Sequence, residues 1–261
     1  MTLGWVCHLC TKMNPIDHEG TCLCCGRPRR YATKSLAKKS STKALILHAD
    51  LSKHTRPEQV ADMIEHGFDV NELSLEGYSV LHCAALHGQA SIIHELLQHG
   101  ANTETEAISG RRALHYATES GSLEAVQELV SHGAFLDAKT LTDELTPLHI
   151  AGLKGFYSIA ELLLQSGANL VARTKLMNQT ALHFAAEAGH LDCVRVLLRY
   201  DHRSELIKVV DISGASAIQV AQFGQHEAVS ELLLLHSQSD ALIHDRMLSS
   251  LLLSTPGGLQ S

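Results

Sequence analysis

Residues 146–168 read T-P-L-H-I-A-G-L-K-G-F-Y-S-I-A-E-L-L-L-Q-S-G-A, and this stretch decides the fold. It contains two short apolar stretches, which are separated by Gly155 and closed by Gly167. Within each stretch the apolar residues recur at i, i+3 and i+4, the spacing that gives a helix one buried stripe. The glycines stand where a helix must stop. The stretch therefore predicts two short antiparallel helices joined by a turn.

The same unit recurs along most of the chain. The pair Leu-His begins at residues 47, 81, 114, 148 and 182, at spacings of 34, 33, 34 and 34, and a weaker copy follows at Ile218-Gln219. A unit of this size cannot bury its own apolar face, so neighbouring units must stack. We therefore predict an all-α solenoid of about six helix-turn-helix units over residues 44–236.

Short motifs within the unit carry a family resemblance. The sequence T-P-L-H at residues 146–149, with the variants S-V-L-H, R-A-L-H and T-A-L-H, resembles the signature of the ankyrin repeat, as does H-G-A at residues 99–101. Four central units match well, whereas the first unit departs over residues 50–57 and the sixth reads Ala217-Ile218-Gln219. Atypical terminal copies are typical of capping units, because their outer faces meet water.

The chain has 18 histidines, but their positions follow the repeat. Five share one position of the unit and three lie beside a glycine turn: His48, His82, His115, His149 and His183, and His66, His99 and His132. Successive units spread these side chains out, so we predict hydrogen bonds between a helix start and the neighbouring turn. We read Cys83 as a small core residue. The sequence contains no G-x-S-x-G, phosphate-loop or H-E-x-x-H motif, and we predict that the protein is not an enzyme.

Charge divides the chain into two parts. The first 43 residues carry eight Lys or Arg against two acidic residues, whereas residues 44–261 carry a net charge of −13. The acidic part is a poor candidate for binding a phosphate backbone. Neither a secretory leader nor an apolar run of about 20 residues is visible, so we predict a monomer in the cytoplasm and/or nucleus, with no membrane contact.

Five of the seven cysteines lie between residues 7 and 25. The pairs Cys7-x2-Cys10 and Cys22-x2-Cys25 have the spacing of tetrahedral zinc ligands. We assign Cys22 and Cys25 rather than Cys24, because a Cys22-x-Cys24 pair is tighter than usual. A segment this short cannot fold on its own core, so one structural Zn²⁺ would supply its stability.

The fuller pattern W-x-C-x2-C-T-x2-N, followed by C-x2-C, resembles the Ran-binding-protein type (Npl4-like) zinc finger. In one branch of that family the resemblance implies ubiquitin binding, here through Thr11, Lys12, Met13 and Cys24, although Lys12 stands where a bulky apolar residue is usual. The other branch binds single-stranded RNA. Trp5 and Asn14 would suit RNA, but residues 15–21 contain no arginine. Ubiquitin or another protein surface is therefore preferred over RNA.

These observations give four segments. Residues 1–30 form the predicted finger, residues 31–43 a basic linker, residues 44–236 the repeats, and residues 237–261 a C-terminal helix with a disordered tail. The linker is a solvated tether or a nuclear-import signal. The C-terminal helix covers the last unit, or acts as an export signal or partner-binding helix. It begins at Asp240 and has apolar residues at helical spacing: Leu242, Ile243, Met247, Leu248, Leu251 and Leu252.

The ankyrin resemblance implies a protein partner held on a concave surface of hairpins and inner helices. The residues that vary while the frame repeats are the candidates for that contact: Tyr78, Leu86, His87, Arg111, Glu119, Leu145, Leu153, Lys154, Gln179 and Glu187. We predict a non-enzymatic adaptor with a client on this surface and zinc in the finger. The alternatives are an RNA-associated factor and an accessory subunit of a ubiquitin ligase or deubiquitinase complex.

Overall fold

The computed structural model describes residues 56–74, 77–202 and 205–238, together with two short backbone strands near the N-terminus. Eleven α-helices lie in these ranges, with a 3-10 turn at Leu206–Lys208 between the ninth and tenth. In chain order the helices are α1 Pro57–Glu65, α2 Val80–Leu86, α3 Ala90–Gln98, α4 Ala113–Ser120, α5 Leu123–Ser131, α6 Pro147–Lys154, α7 Tyr157–Gln165, α8 Ala181–Glu187, α9 Leu191–Tyr200, α10 Ala217–Phe223 and α11 227–238.

The helices form two stacked layers. The even-numbered helices α2 to α10 are the inner layer, and each packs against the inner helix of the next unit. In the outer layer, α1, α3, α5, α7 and α9 pack on one another in the same way. Among the described residues the predicted all-α solenoid is therefore confirmed, with six outer helices. The inner helix of the first unit, with His48, lies outside the described residues.

Small residues on the inner helices let these layers approach closely. Ala84, Ala117, Ala151 and Ala185 occupy one position of successive units and are fully buried. Gly152, in the middle of α6, marks the closest approach, because a Cβ atom there would lie 2.6 Å from the carbonyl oxygen of Ala181. A side chain at this position would therefore push α6 and α8 apart.

Hairpins connect each unit to the next and stack along one edge of the solenoid. Leu141 N donates to Ser109 O, Lys175 N to Asp143 O, and Ile212 N to Met177 O, each at 3.0 Å. One position of every turn has a positive φ, and it is occupied by Gly77, Gly110, Glu144, Asn178 and Gly214. Glycine adopts this conformation without penalty, whereas the other residue types pay a steric cost.

The repeated histidines join each inner helix to the hairpin of the following unit. The backbone N–H of Thr146 donates to His149 Nδ1 at 3.1 Å, so Nδ1 is an acceptor and the proton of the neutral ring lies on Nε2. His149 Nε2 then donates to Ala172 O at 3.0 Å and to Gln179 O at 3.2 Å. His82 and His115 repeat this arrangement. The role predicted for these histidines is confirmed.

The ladder weakens towards the C-terminal end. His183 Nδ1 accepts from Thr180 N at 3.3 Å, but its buried Nε2 makes no hydrogen bond. In the next unit Gln219 takes the place of histidine, and its Oε1 accepts from Ser216 N at 2.9 Å. Glutamine keeps the cap of the helix but is too short to span the units.

The histidines beside the glycine turns act differently from the prediction. His66 Nδ1 lies 2.6 Å from Asp62 O, and His132 Nδ1 lies 2.9 Å from Glu128 O. Both side chains therefore bond to a carbonyl at the C-terminal end of their own helix, where four carbonyls lack intrahelical partners. They do not connect a helix start with a neighbouring turn.

Two strands lie near the N-terminus. Strand β1, Trp5–Val6, pairs antiparallel with β2, Met13–Asn14, with Trp5 opposite Asn14 and Val6 opposite Met13. The predicted linker and C-terminal helix, and the rest of the predicted finger, lie outside the described residues.

Candidate protein-binding face

The inner helices present two rows of side chains on the face that carries most of the predicted partner-binding residues. We call the residues two positions after each leucine of the Leu-His pairs the floor row: Cys83, Tyr116, Ile150, Phe184 and Val220. The residues five positions after that leucine form the rim row: Leu86, Glu119, Leu153, Glu187 and Phe223. Because the inner helices stack in register, each row runs across five successive units.

The two rows differ in burial. Tyr116 and Ile150 of the floor row are buried, and the other three floor residues are half-buried. In the rim row Leu86 is 46% exposed, Leu153 is 43% exposed and Phe223 is 82% exposed. Large apolar side chains therefore project into solvent at alternate units, with Glu119 and Glu187 between them.

Four side chains between the second and third units form an ordered cluster. The Tyr78 and Tyr116 rings meet edge to face with centroids 5.9 Å apart, and the Arg111 guanidinium lies 5.1 Å from the centre of the Tyr116 ring. Arg111 Nη1 also donates to Glu119 Oε2 at 2.6 Å. Sequence reasoning selected Tyr78, Arg111 and Glu119 separately, and the structure brings them together around Tyr116, which the prediction did not include.

The other predicted residues are distributed along the same face. His87 and Lys154 are exposed at the ends of α2 and α6. Leu145 and Gln179 are half-buried, and their carbonyl oxygens accept the hydrogen bonds of His115 and His149. Their backbone therefore holds the hairpins in place, whatever their side chains bind.

Apolar side chains at the hairpin tips were missed by the sequence reasoning. Five of them, each 44–69% exposed, lie on four successive hairpins: Ile108, Leu141, Leu176, Met177 and Ile212. The predicted hairpin residues stand three positions before the Leu-His pair, whereas these lie five to seven positions before it. The available signal was an apolar residue within a turn sequence, where polar residues are usual. They extend the apolar character of the inner face to its edge.

Charges at the hairpin edge are paired. Lys139 Nζ donates to Glu144 Oε2 at 2.7 Å, and Lys175 Nζ lies 3.9 Å from Glu144 Oε1. The Lys139 hydrogen bond holds the pKa of the Glu144 carboxyl below its ordinary value. The carboxylate thus lies between two lysines, and this part of the edge has little net charge.

Burial keeps the repeated histidines neutral. It lowers the pKa of His115 and of His149 from 6.5 to about 4, and it lowers the pKa of His183 as well. Burial also raises the pKa of the Cys193 thiol to about 12. Cys193 lies beneath α6, with Sγ 3.9 Å from Ala151 O, so it is a core residue rather than a reactive thiol.

The outer face carries a groove of about 360 Å³ between α7 and α9. It is lined by Tyr157, Glu161, Asp192, Arg195, Val196 and Arg199. Each guanidinium there has an acidic partner, with Arg199 2.8 Å from Glu161 and Arg195 3.2 Å from Asp192. The charges of this groove are thus largely compensated within the chain.

The predicted zinc ligands Cys7, Cys10, Cys22 and Cys25 lie outside the described residues. Within the described part, His, Cys, Asp and Glu form no group suited to a metal ion. The backbone pairing of Trp5–Val6 with Met13–Asn14 does bear on the finger, because residues 7–12, which include Cys7 and Cys10, connect the two strands.

This geometry defines a stacked helical-repeat protein whose inner face is the candidate contact surface. The family model described as ankyrin repeats (3 copies) matches residues 45–140, 105–174 and 172–245. The chain therefore belongs to the ankyrin-repeat family, a protein-interaction fold. These matches leave residues 1–44 uncovered. A search of curated proteins found no match. Of the helices that the structure describes, none has the length and apolar character to cross a bilayer.

Proposed function

We propose that the chain is a non-enzymatic adaptor that holds a protein client on the inner face of its repeats. The rim row carries this proposal, because three large apolar side chains project into solvent there at alternate units. Soluble proteins rarely expose aligned apolar side chains without a contact to make. Glu119, Glu187 and Lys154 lie beside them, which matches the mixed polar and apolar character of protein interfaces.

The Tyr78–Arg111–Tyr116–Glu119 cluster supplies the expected anchor of this face. Tyrosine and arginine dominate the binding energy of many interfaces, particularly where their side chains are well packed. Here the cation–π contact and the ion pair already fix the Arg111 side chain in the free protein. A client therefore pays less of the entropy cost of ordering this arginine on binding.

A pair of matched double variants tests the client site. Leu86→Glu with Leu153→Glu adds two charges to the rim row. Gln98→Glu with Gln165→Glu adds the same charges to the same two units, at exposed outer-helix positions. Quantitative affinity purification of the full chain should recover a set of proteins with the wild type and the control that the rim-row variant loses. If both variants retain the same set, the client does not bind at the rim row.

For the N-terminal segment we propose one structural Zn²⁺ held by Cys7, Cys10, Cys22 and Cys25. The strand pairing on either side of residues 7–12 supports the first pair, since a short hairpin brings its two ends together. Metal analysis of the purified full chain should give about one zinc per chain. Cys10→Ser should lose that zinc and Cys24→Ser should keep it. Loss with Cys24→Ser would overturn the ligand assignment.

We further propose that the finger binds ubiquitin or another protein through Thr11, Lys12, Met13 and Cys24. Two linked modules of modest affinity would then act together through effective concentration. NMR titration of the zinc-loaded chain with ubiquitin should shift Thr11, Met13 and Cys24. Shifts with single-stranded RNA alone, weakening steeply as salt is raised, would favour the RNA-associated alternative.

A ubiquitin response together with a ligase or deubiquitinase among the purified partners would favour the accessory-subunit alternative. The free cysteines Cys83 and Cys193 suit a reducing compartment, and we propose the cytoplasm and/or nucleus.

A further inference from the structure

The last outer helix, α11, exposes apolar side chains that its counterparts do not. Leu97, Leu164 and Leu198 occupy the same position of α3, α7 and α9, and each is only 6–8% exposed. The equivalent residue of α11, Leu234, is 40% exposed. In the earlier units this position is covered by the unit that follows, so Leu234 retains the residue type of a covered position.

The next residue of α11 gives an independent observation. Its equivalents in the four preceding outer helices are polar and exposed: Gln98, Ser131, Gln165 and Arg199. In α11 the residue is Leu235, which is 56% exposed. An apolar residue at a position that faces water in every earlier unit indicates that something covers this position in the last unit alone.

The rest of the last unit resembles a cap. A buried inner-helix position, held by Ala85, Thr118, Gly152 and Ala186 in the earlier units, is occupied by exposed Gln222 in α10. A seventh repeat would bury this glutamine. The uncovered apolar surface is therefore confined to the end of α11 and has the size of a single helix rather than of another unit.

The course of α11 agrees with this reading. The outer helices α3, α5 and α7 end before Gly100, Gly133 and Gly167, all of which have a positive φ. The equivalent residue after α11 would be Ser237, but the helix continues through it to residue 238. No hairpin begins there, so the chain enters its last 23 residues directly from the exposed end of α11.

We infer that residues 240–253 of this chain form a helix that packs on Leu234 and Leu235. This segment follows α11 after one residue, and 14 helical residues span roughly 21 Å, about the length of one repeat helix and its turn. Its apolar residues have helical spacing, which gives one stripe to bury. The ankyrin match, which runs to residue 245, includes the start of the segment. The C-terminal segment therefore completes the solenoid by covering its last outer helix.

Hydrogen exchange of the α11 backbone amides in the full chain tests this inference. Removing residues 239–261 should increase exchange of residues 227–238 on the order of tenfold or more, because the covered end of the helix becomes free to open. Removing residues 254–261 alone is the matched control and should leave exchange unchanged. Met247→Gln with Leu251→Gln, which keeps the segment but interrupts its stripe, should act like the longer truncation.

Two results would overturn the inference. One is equal α11 exchange in the full chain, the longer truncation and the double glutamine variant, because the segment would then protect nothing. The other is protection that disappears on dilution together with a fall in sedimenting mass, because a second copy of the chain would then be the cover.

Discussion

Lowering the pH from 7 to 5 should destabilise the repeats, chiefly through His115 and His149. Burial lowers the pKa of each ring from 6.5 to about 4. Between these two pH values the unfolded chain binds more protons than the folded chain, so the free energy of unfolding rises with pH. The stabilisation is present above about pH 6.5 and is lost as the pH falls towards 4.

The size of this effect follows from the pKa shift. A shift of about 2.5 units corresponds to roughly 3 kcal/mol when fully expressed, and to about 2 kcal/mol per histidine between pH 7 and pH 5. The structure gives the reason, since Nδ1 of His149 already accepts from the Thr146 backbone N–H. A second ring proton would point at that donor and would break the bond.

A matched variant isolates the contribution of one ring. His149→Gln reproduces the arrangement that Gln219 has in the last unit, where a side-chain oxygen accepts from the residue before the helix. It should lower stability at pH 7 by about 1–3 kcal/mol, because the bonds to the next hairpin are lost. Between pH 7 and pH 5 it should lose about 2 kcal/mol less than the wild type.

Urea unfolding followed by circular dichroism, at both pH values, measures these differences. His87→Gln removes an exposed histidine from the same face and should keep the pH dependence of the wild type. The reasoning fails if His149→Gln and the wild type lose equal stability between pH 7 and pH 5.

Two further outcomes follow from the packing. Gly152→Val should cost about 3 kcal/mol or more in urea unfolding, because its Cβ would meet Ala181 O at 2.6 Å. Gly167→Ala has no atom within 4 Å and should cost only about 1 kcal/mol, for its positive φ; equal losses would contradict the packing argument. Iodoacetamide should modify half-buried Cys83 well before Cys193, whose pKa is raised to about 12, as peptide mass spectrometry would show. Faster reaction at Cys193 would contradict its burial.

The repeat could be predicted from the sequence because its signals are local. Glycine spacing, apolar periodicity and the Leu-His pair lie within about 34 residues, and each acts on its own helix. The atypical last unit was also visible in Gln219 and its neighbours. The different role of His66 and His132 was not visible, since the same residue type bonds to a neighbouring unit at one position and to its own helix at another.

The candidate site could be predicted only in part. Positions that vary within a constant frame identified Tyr78, Arg111 and Glu119. The frame did not identify Tyr116, because a tyrosine after Leu-His has no local feature that distinguishes a core residue from the centre of a cluster. Its three partners come together only when two hairpins and two inner helices stack.

The sequence alone determined that this protein is a stack of two-helix units, because a helical stripe too small to be buried within one unit must be buried by the next. Only the tertiary structure decided which leucines remain in contact with water. Leu198 and Leu234 share a residue type and a repeat position, yet one is covered by the following unit and the other is not. Burial depends on the neighbour a side chain meets, and that neighbour is fixed by stacking rather than by local sequence.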